Sequence, residues 1–195
     1  MNILLTGGLG YIGSHTVIVL IEAGHHVICY DNLCNSNDSV VNKIKQITGQ
    51  SIEFIKGDVR DYRCLVQTLK DYAIHAVIHF AGLKAVGESV DDPMSYYQNN
   101  VVGSITLLRA MKDAGVTNFI FSSSATVYGD PLTLPIDESH PRKALNPYGR
   151  SKLQVEHILS DLAISDPSFR CVVLRYFNPV GAHESGLIGE DPVGM

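Results

Sequence analysis

Two groups of residues more than a hundred positions apart could together carry out an oxidation. Gly7, Gly10 and Gly13 follow a short apolar run near the start of the chain, whereas Tyr148 and Lys152 lie much later, four residues apart. Glycines at this spacing form a tight turn into a helix whose free N–H groups can hold the phosphates of a dinucleotide. A tyrosine one helical turn from a lysine can exchange a proton with a substrate hydroxyl. The two motifs together predict an oxidoreductive enzyme site rather than a binding module.

The glycine spacing is G-x-x-G-x-x-G, and each glycine has its own role. Gly7 permits the turn, Gly10 lets a pyrophosphate approach the backbone, and Gly13 lets the helix pack closely on the strand. Asp31 ends the next predicted strand, where a carboxylate accepts hydrogen bonds from the adenosine ribose and repels a 2′-phosphate, which favours NAD over NADP. Asp31 could instead be a helix cap or a turn residue. Asp58 is placed for the adenine edge and could equally well cap the next helix.

Proton transfer by Tyr148 requires its phenol to ionise near neutral pH. A free tyrosine has a pKa of about 10, and the ammonium of Lys152 together with a positively charged nicotinamide favours the phenolate. Lys152 can also hold the nicotinamide ribose, and Ser124, at the end of a strand, can orient the same substrate hydroxyl. Taken alone, the tyrosine–lysine spacing also fits a solvated helix face. The glycine loop and the serine run Ser122–Ser124 favour the catalytic interpretation.

The elements that must position these residues follow from the apolar pattern. Short apolar runs alternate with amphipathic segments, which predicts an α/β fold with a doubly wound parallel sheet of the Rossmann-like type. The predicted strands are 3–5, 27–30, 52–55, 76–80, 119–121 and 171–174, and the predicted helices are 11–23, 60–72, 94–114 and 148–164. Residues 129–147 contain four prolines and predict a surface loop near the carboxyl ends of the strands, where such loops belong to the site.

Composition excludes several classes of partner. The net charge of −5 argues against nucleic acid, because phosphate contacts need clustered lysines and arginines. The N-terminus lacks the features of a signal peptide, and no apolar stretch is long enough to span a bilayer, so no membrane partner is expected. The four cysteines include no C-x-x-C pair, and the eight histidines lack ligand spacing. This pattern predicts free thiols in the cytoplasm and no metal site.

Four longer segments give these motifs a specific resemblance. They are 31–36 (DNLCNS), 79–89 (HFAGLKAVGES), 121–129 (FSSSATVYG) and 175–183 (RYFNPVGAH). Together with the glycine loop, Ser124, Tyr148 and Lys152, they make the chain resemble the extended short-chain dehydrogenase/reductases. Within that superfamily the chain is similar to the UDP-glucose 4-epimerases (UDP-galactose 4-epimerases), and the resemblance covers essentially the whole chain.

The resemblance implies an NAD-dependent interconversion of UDP-galactose and UDP-glucose. Tyr148 would take the proton of the sugar 4-hydroxyl while the C4 hydride passes to NAD, and after the 4-keto sugar turns over the hydride would return to its opposite face. The implied cofactor contacts are Tyr11, Ile12, Asp31, Asn32, Asn35, Ser36, Asp58, Val59, Phe80, Ala81, Gly82, Lys84, Asn99, Lys152 and Phe177. The implied substrate contacts are Lys84, Ser124, Thr126, Tyr148 and Asn178.

Two positions distinguish a 4-epimerase from a sugar-nucleotide 4,6-dehydratase. The 4,6-dehydratases resemble this chain in fold but carry an Asp-Glu pair where it has Ala125 and Thr126. Neither side chain can supply the acid and base that eliminate water, so simple oxidation and reduction at C4 is favoured. A related NAD-dependent sugar-nucleotide epimerase or dehydratase is one alternative, and an NAD-binding module without turnover is another.

The resemblance also predicts domain organisation and assembly. Because the family continues beyond residue 195, we expect residues 1–177 to form the NAD-binding domain and residues 178–195 to begin a substrate-binding region that lies mostly outside this sequence. Family members are usually homodimers joined through two helices, which here are 94–114 and 148–164. The apolar positions of these helices fit a dimer interface and ordinary core packing about equally well; they include Val101, Ile105, Leu108, Leu153 and Ile158.

Overall fold

The computed structural model of the protein describes residues 1–191, within which six strands form one parallel sheet. The strands are β1 (Asn2–Thr6), β2 (His26–Asp31), β3 (Glu53–Lys56), β4 (Ala76–His79), β5 (Asn118–Ser124) and β6 (Arg170–Tyr176). Their order in the sheet is β3-β2-β1-β4-β5-β6, so the chain moves outward in one direction from β1 and then in the other from β4. This confirms the doubly wound α/β fold and places a switch in direction between β1 and β4, where ligands bind in such sheets.

The central strands are buried on both faces, which explains their continuous apolar runs. Leu4 pairs with Ile28, and both belong to the hydrophobic cluster on one face of the sheet. Leu5 and Cys29, the next pair in the register, belong to the cluster on the other face. Because successive side chains of a strand point to opposite faces, a strand covered on both sides needs apolar residues at every position.

Helices connect the strands and cover the sheet. They are α1 (Tyr11–Glu22), α2 (Ser39–Thr48), α3 (Tyr62–Asp71), α4 (Val86–Asp91), α5 (Pro93–Tyr96), α6 (Gly103–Ala114) and α7 (Pro147–Ser165), with a π-helix at Tyr97–Val102 between α5 and α6. The predicted helices 11–23, 60–72 and 148–164 are confirmed within two residues at each end. The predicted helix 94–114 instead consists of α5, the π-helix and α6 in succession.

Helices α2 and α4 were not among the predicted helices. The apolar residues of α2 recur at helical spacing and pack against one cluster of the core, so the sequence did carry a signal for this helix that the prediction omitted; they are Val40, Val41, Ile44 and Ile47. Helix α4 has six residues, less than two helical turns, which is too short for a helical period to appear.

The remaining connections include the proline-rich loop, residues 129–146, which contains no helix or strand. All four cysteines are free thiols. Within residues 1–191, no helix is both long and apolar enough to cross a membrane, and no cluster of three or more His, Cys, Asp or Glu side chains could hold a metal ion.

Candidate active site

A cleft of about 1180 Å³ lies at the carboxyl ends of the strands. Its wall includes all but one of the residues predicted to contact a cofactor or substrate or to catalyse. Those lining it are Gly7, Gly10, Tyr11, Ile12, Gly13, Asp31, Asn32, Asn35, Ser36, Val59, Phe80, Ala81, Gly82, Lys84, Asn99, Ser124, Thr126, Tyr148, Lys152, Phe177 and Asn178. Asp58 is not part of the wall. The fold therefore brings two motifs distant in sequence to one cavity.

The glycine loop packs too tightly to accept side chains at two of its three predicted glycines. Gly7 has a φ of +67°, and a Cβ there would lie 2.6 Å from the backbone nitrogen of Ala81. A Cβ at Gly13 would lie 2.3 Å from the carbonyl oxygen of Gly7. At Gly10 the nearest atom would be that same oxygen, at 3.4 Å, so the space beyond this glycine is open. The predicted roles of turn, phosphate approach and close packing fit these three environments.

The N-terminus of α1 is the natural anion site of this cleft. Gly10 is the N-cap residue, and no side chain caps the helix there. The first N–H groups of a helix have no partner within the helix and carry a partial positive charge. A diphosphate could therefore bind against Gly10 without displacing a capping side chain.

Asp31 stabilises the turn after β2 in addition to its predicted contact with a ribose. Its Oδ1 accepts hydrogen bonds from the backbone N–H of Leu33 at 2.9 Å and from the hydroxyl of Ser36 at 2.8 Å. Its Oδ2 accepts one from the backbone N–H of Leu9, at 3.1 Å, in the glycine loop. The alternative interpretation of Asp31 as a turn residue therefore describes part of its role, because the carboxylate fixes the turn after β2.

Asp58, which lies outside the cleft wall, is hydrogen-bonded by the side chains of Arg60 and Asn32. Arg60 donates to both of its carboxylate oxygens, at 2.8 and 2.7 Å, and Asn32 donates at 3.1 Å. These hydrogen bonds, those of Arg60 above all, hold the pKa of Asp58 well below its usual range despite partial burial. The alternative of a helix cap is wrong, because Asp61 caps α3 by accepting from the backbone N–H of Cys64 at 3.0 Å. A contact of Asp58 with adenine stays a prediction.

Helix α7 carries the tyrosine and the lysine. Asn146 caps it by accepting from the N–H of Gly149 at 2.8 Å, and Pro147 occupies the first turn, as suits that position. Lys152 is only 5% exposed, and its ammonium donates to the carbonyl of Ser122 at 2.8 Å. Burial lowers its pKa to about 8. The alternative of a solvated helix face is therefore wrong at Lys152.

Tyr148 lies beside Ser124, and the ring of Tyr96 meets its ring edge-on at 6.4 Å. Burial raises the pKa of the Tyr148 phenol, and the Ser124 hydroxyl lowers it only in part. The sequence argument had Lys152 favouring the phenolate, but burial prevails in the protein alone. The phenol therefore stays protonated near neutral pH until further positive charge enters the cleft.

The last three residues of β5 are serines, and each contacts a different residue of α7. The carbonyl of Ser122 accepts from Lys152, the hydroxyl of Ser123 donates to Glu156 at 2.6 Å, and Ser124 adjoins Tyr148. The tyrosine, the lysine and the glutamate are spaced by four residues along α7, so they share one face of the helix. Sequence reasoning missed Glu156, although continuing the four-residue spacing would have found it.

Asn100 in the π-helix is a second residue that sequence reasoning missed. Its buried side chain accepts from the N–H of Leu83 at 2.8 Å and donates to that residue's carbonyl and to the hydroxyl of Ser151, both at 3.0 Å. These bonds tie the loop after β4 to α7. The adjacent Asn99, a predicted cofactor contact, lines the cleft.

Residues of the segment 178–191 line part of the cleft, and two predicted contact residues hold this segment. The Tyr11 hydroxyl donates to the carbonyl of Gly181 at 2.6 Å, and the Lys84 ammonium donates to Glu190 at 2.8 Å. Ile188 is buried in the same hydrophobic cluster as Leu5. These contacts do not test the expected domain boundary at residue 177, and residues 192–195 lie outside the described part of the chain.

Comparisons with known proteins agree with this geometry. The model of the family described as GDP-mannose 4,6 dehydratase matches residues 4–194. The UDP-glucose 4-epimerases of Pasteurella multocida and Haemophilus influenzae are each 57% identical to the chain over 196 residues, covering 100% of this chain and 58% of theirs. The chain thus spans well under two thirds of the length of these curated relatives.

Solved structures give the same result. The UDP-glucose 4-epimerase of Stenotrophomonas maltophila, with bound NAD and formylated UDP-arabinopyranose, is 52% identical and superposes with a TM-score of 0.98. That of Bifidobacterium longum, in complex with NAD+ and UDP, is also 52% identical and superposes with a TM-score of 0.97. In each case the match covers 100% of this chain and 58% of the solved chain.

Proposed function

We propose that this chain, which belongs to the GDP-mannose 4,6 dehydratase family, is the NAD-binding and proton-transferring part of an enzyme that interconverts UDP-galactose and UDP-glucose. The observation that carries this proposal is the half-buried Tyr148 on the same helix face as the buried Lys152, with Ser124 beside the phenol, in the same cleft as the glycine loop. The similarity to proteins named UDP-glucose 4-epimerase supports it, as does that to structures holding NAD with UDP or a UDP-sugar.

The residues of the cleft fit NAD. The open space at Gly10 and the uncapped N-terminus of α1 suit a diphosphate, and the Asp31 carboxylate suits ribose hydroxyls. When bound, NAD would supply the acceptor, and later the donor, for the hydride of the sugar C4. The predicted contacts from Tyr11 to Phe177 remain part of this proposal, as does Asp58, which would need to share its carboxylate with Arg60.

The chain's own residues would manage the proton. Once ionised, the phenolate oxygen of Tyr148 would receive the proton of the sugar 4-hydroxyl and later return it, while the Ser124 hydroxyl would hydrogen-bond to the sugar 4-oxygen. Thr126 steadies Ser124, since its backbone N–H and its hydroxyl donate to the serine oxygen at 3.2 and 3.0 Å. Burial raises the pKa of the Tyr148 phenol in the protein alone. The phenolate would be favoured by the ammonium of Lys152 together with the positive charge of a bound nicotinamide.

A dehydratase is the weaker candidate, although the matching family model carries that name. Water elimination needs an acid and a base beside the sugar, and the two positions after Ser124 are Ala125 and Thr126. Thr126 is instead occupied in orienting Ser124.

Assembly and location belong to the same proposal. A homodimer through 94–114 and α7 is supported by Ile105 and Val102, which are exposed, whereas Leu108 and Ile158 pack into the core and fit the other interpretation. Free cysteines suit the reducing cytoplasm. Light scattering after gel filtration would test the dimer, and a monomer at all concentrations would contradict it.

The decisive experiment measures conversion of UDP-galactose to UDP-glucose by the purified chain with NAD, with Tyr148→Phe as the matched control. Conversion by the wild type that the control lacks supports the proposal. A stable 4-keto-6-deoxy product would select the dehydratase. NAD binding by a folded chain without conversion would select the module without turnover.

A further inference from the structure

A buried ionic cluster lies on α7 one turn beyond the lysine. The Glu156 side chain is 4% exposed, and Arg175 of β6 binds both of its oxygens, at 3.0 and 2.8 Å. The Ser123 hydroxyl on β5 donates to the same carboxylate at 2.6 Å, and Arg142 of the proline-rich loop donates at 3.2 Å. One carboxylate thus joins four segments of the chain.

The cluster extends back toward the reacting residues. Arg175 also donates to the hydroxyl of Tyr128 at 2.7 Å and lies 5.0 Å from the centre of that ring. Tyr128 directly follows the short 3₁₀-helix Ala125–Val127, which begins after Ser124. Arg175 is therefore linked both to α7 and to the strand end that presents the serine.

We propose that Glu156 is a positioning residue that fixes the rotation of α7 about its axis and its position along that axis, so that Tyr148 and Lys152 are aligned with Ser124. This inference rests on the proposed reaction. Glu156 itself lies about 12 Å along the helix from Tyr148, at 1.5 Å per residue, and acts only through the helix.

Fixing the orientation of α7 requires directional hydrogen bonds. The apolar contacts of Val155 and Leu159 hold α7 against the sheet, but apolar burial has little directional preference. Paired charged hydrogen bonds fix both distance and orientation. Because proton transfer loses rate steeply when groups are misplaced by about 1 Å, a helix held only by apolar contacts would position the tyrosine poorly.

The test compares Glu156→Gln with Asp161→Asn, the same carboxylate-to-amide change at an exposed position of α7. We expect Glu156→Gln to lower kcat about 10- to 100-fold, with KM for UDP-galactose within about threefold and NAD affinity unchanged. Glu156→Asp, which keeps the charge, should recover part of the loss. Asp161→Asn should match the wild type in every measurement.

A second readout does not depend on turnover. The ionisation of Tyr148 is followed by ultraviolet absorbance in the NAD-bound chain, with Tyr148→Phe subtracted to remove the other tyrosines. In Glu156→Gln the midpoint should move to higher pH, because the phenol loses its alignment with Lys152 and Ser124. A wild-type chain that fails to epimerise would contradict only the proposed function. The titration of Tyr148 would still decide the role of Glu156.

A purely structural role gives a different pattern. A lower Tm with unchanged kcat per folded molecule and an unchanged Tyr148 titration would overturn the proposal. If Glu156→Gln does not fold, Ser123→Ala replaces it, because it removes one hydrogen bond and keeps the ion pair. A fall in kcat of about threefold or more at unchanged KM then supports the proposal, and an unchanged kcat overturns it.

Discussion

The two halves of the cleft are held by different kinds of contact. In the glycine half, formed by β1, β2 and α1, backbone meets backbone so closely that a Cβ at Gly13 would lie 2.3 Å from the Gly7 carbonyl. In the tyrosine half, formed by β5, β6 and α7, buried side chains carry the contacts. There Lys152 bonds to Ser122, and Glu156 to Arg175.

The difference follows from what each half must do. A diphosphate is bound best by backbone N–H groups that nothing covers, so side chains must be absent there. A proton is moved by a side chain whose position and charge are fixed, so buried polar partners must be present. Adding a methyl group should therefore reduce stability or binding most in the glycine half. Removing a charge without changing the shape of the side chain should reduce activity most in the tyrosine half.

The largest expected effect is at Lys152. If the proposed reaction occurs, Lys152→Met should lower epimerisation about 10²- to 10⁴-fold, because a phenolate at Tyr148 would lose its nearby cation. The same change should raise the free energy of unfolding at pH 7 by up to about 3 kcal/mol. The reason is that folding lowers the pKa of this lysine from 10.5 to about 8, so the fold disfavours its charged form. Urea denaturation and the epimerase assay measure the two effects.

Lys70→Met, at an exposed position of α3, is the control for Lys152→Met and should change neither quantity. A less stable Lys152→Met chain would show that the bond to Ser122 outweighs the cost of burying the charge.

The next effect concerns the glycine half. Gly13→Ala should lower the free energy of unfolding by about 3 kcal/mol, because its Cβ overlaps the Gly7 carbonyl and the backbone of Gly8, neither of which can move away. Gly10→Ala, the matched variant, should leave stability within about 1 kcal/mol and weaken NAD binding instead. Thermal unfolding and calorimetric titration with NAD separate the two. Equal losses of stability would remove the distinction between the glycines.

A histidine between the halves should give the fold a pH dependence. His79 is buried, with Thr6 of β1 at 2.6 Å from one ring nitrogen and Ser104 of α6 at 2.9 Å from the other. Burial, with a smaller effect from Lys152, lowers its pKa from 6.5 to about 3. The unfolded state therefore takes up the proton first, and stability is lost as pH falls below 6.5. We expect a loss of about 2 kcal/mol between pH 6.5 and pH 5.

Urea denaturation at several pH values, compared with His79→Gln, isolates this loss from that of other groups. His157→Gln, at an exposed position of α7, should keep the wild-type dependence. The same slope in His79→Gln as in the wild type would refute the assignment.

The smallest effect is expected at the ion pair of Arg60 and Asp58, which lies after β3 and outside the cleft wall. Arg60 is 44% exposed, and an exposed pair of this kind contributes little to stability. Arg60→Met should therefore change the free energy of unfolding by less than about 1 kcal/mol, as urea denaturation would measure. A loss comparable to that of Gly13→Ala would mean that an exposed charged contact outside the cleft matters as much as the backbone packing of the glycine half.

The same contrast explains what the sequence could predict. The strands were recognisable because burial on both faces demands runs such as that around Leu4 and Leu5. The glycine loop and the pair of Tyr148 and Lys152 were recognisable because their spacing is local, within one turn or one helix.

Contacts between distant segments were not recognisable. Glu156 is hydrogen-bonded to Ser123, thirty-three residues earlier, and to Arg175, nineteen residues later. No local sequence period predicts contacts between residues so far apart. The side chain of Asn100 likewise acts through Leu83 and Ser151. The state of the Tyr148 phenol also depends on burial by the assembled fold, which spacing alone does not give.

The three hydrogen bonds accepted by Asp31 link cofactor choice to loop architecture. A redesign for a 2′-phosphorylated dinucleotide would begin by removing this carboxylate, whose charge repels the extra phosphate. The same substitution would leave the N–H groups of Leu9 and Leu33 and the hydroxyl of Ser36 without their acceptor. A change of cofactor specificity at Asp31 would therefore also disturb the turn that supports the glycine loop, and we expect it to need compensating replacements in that turn.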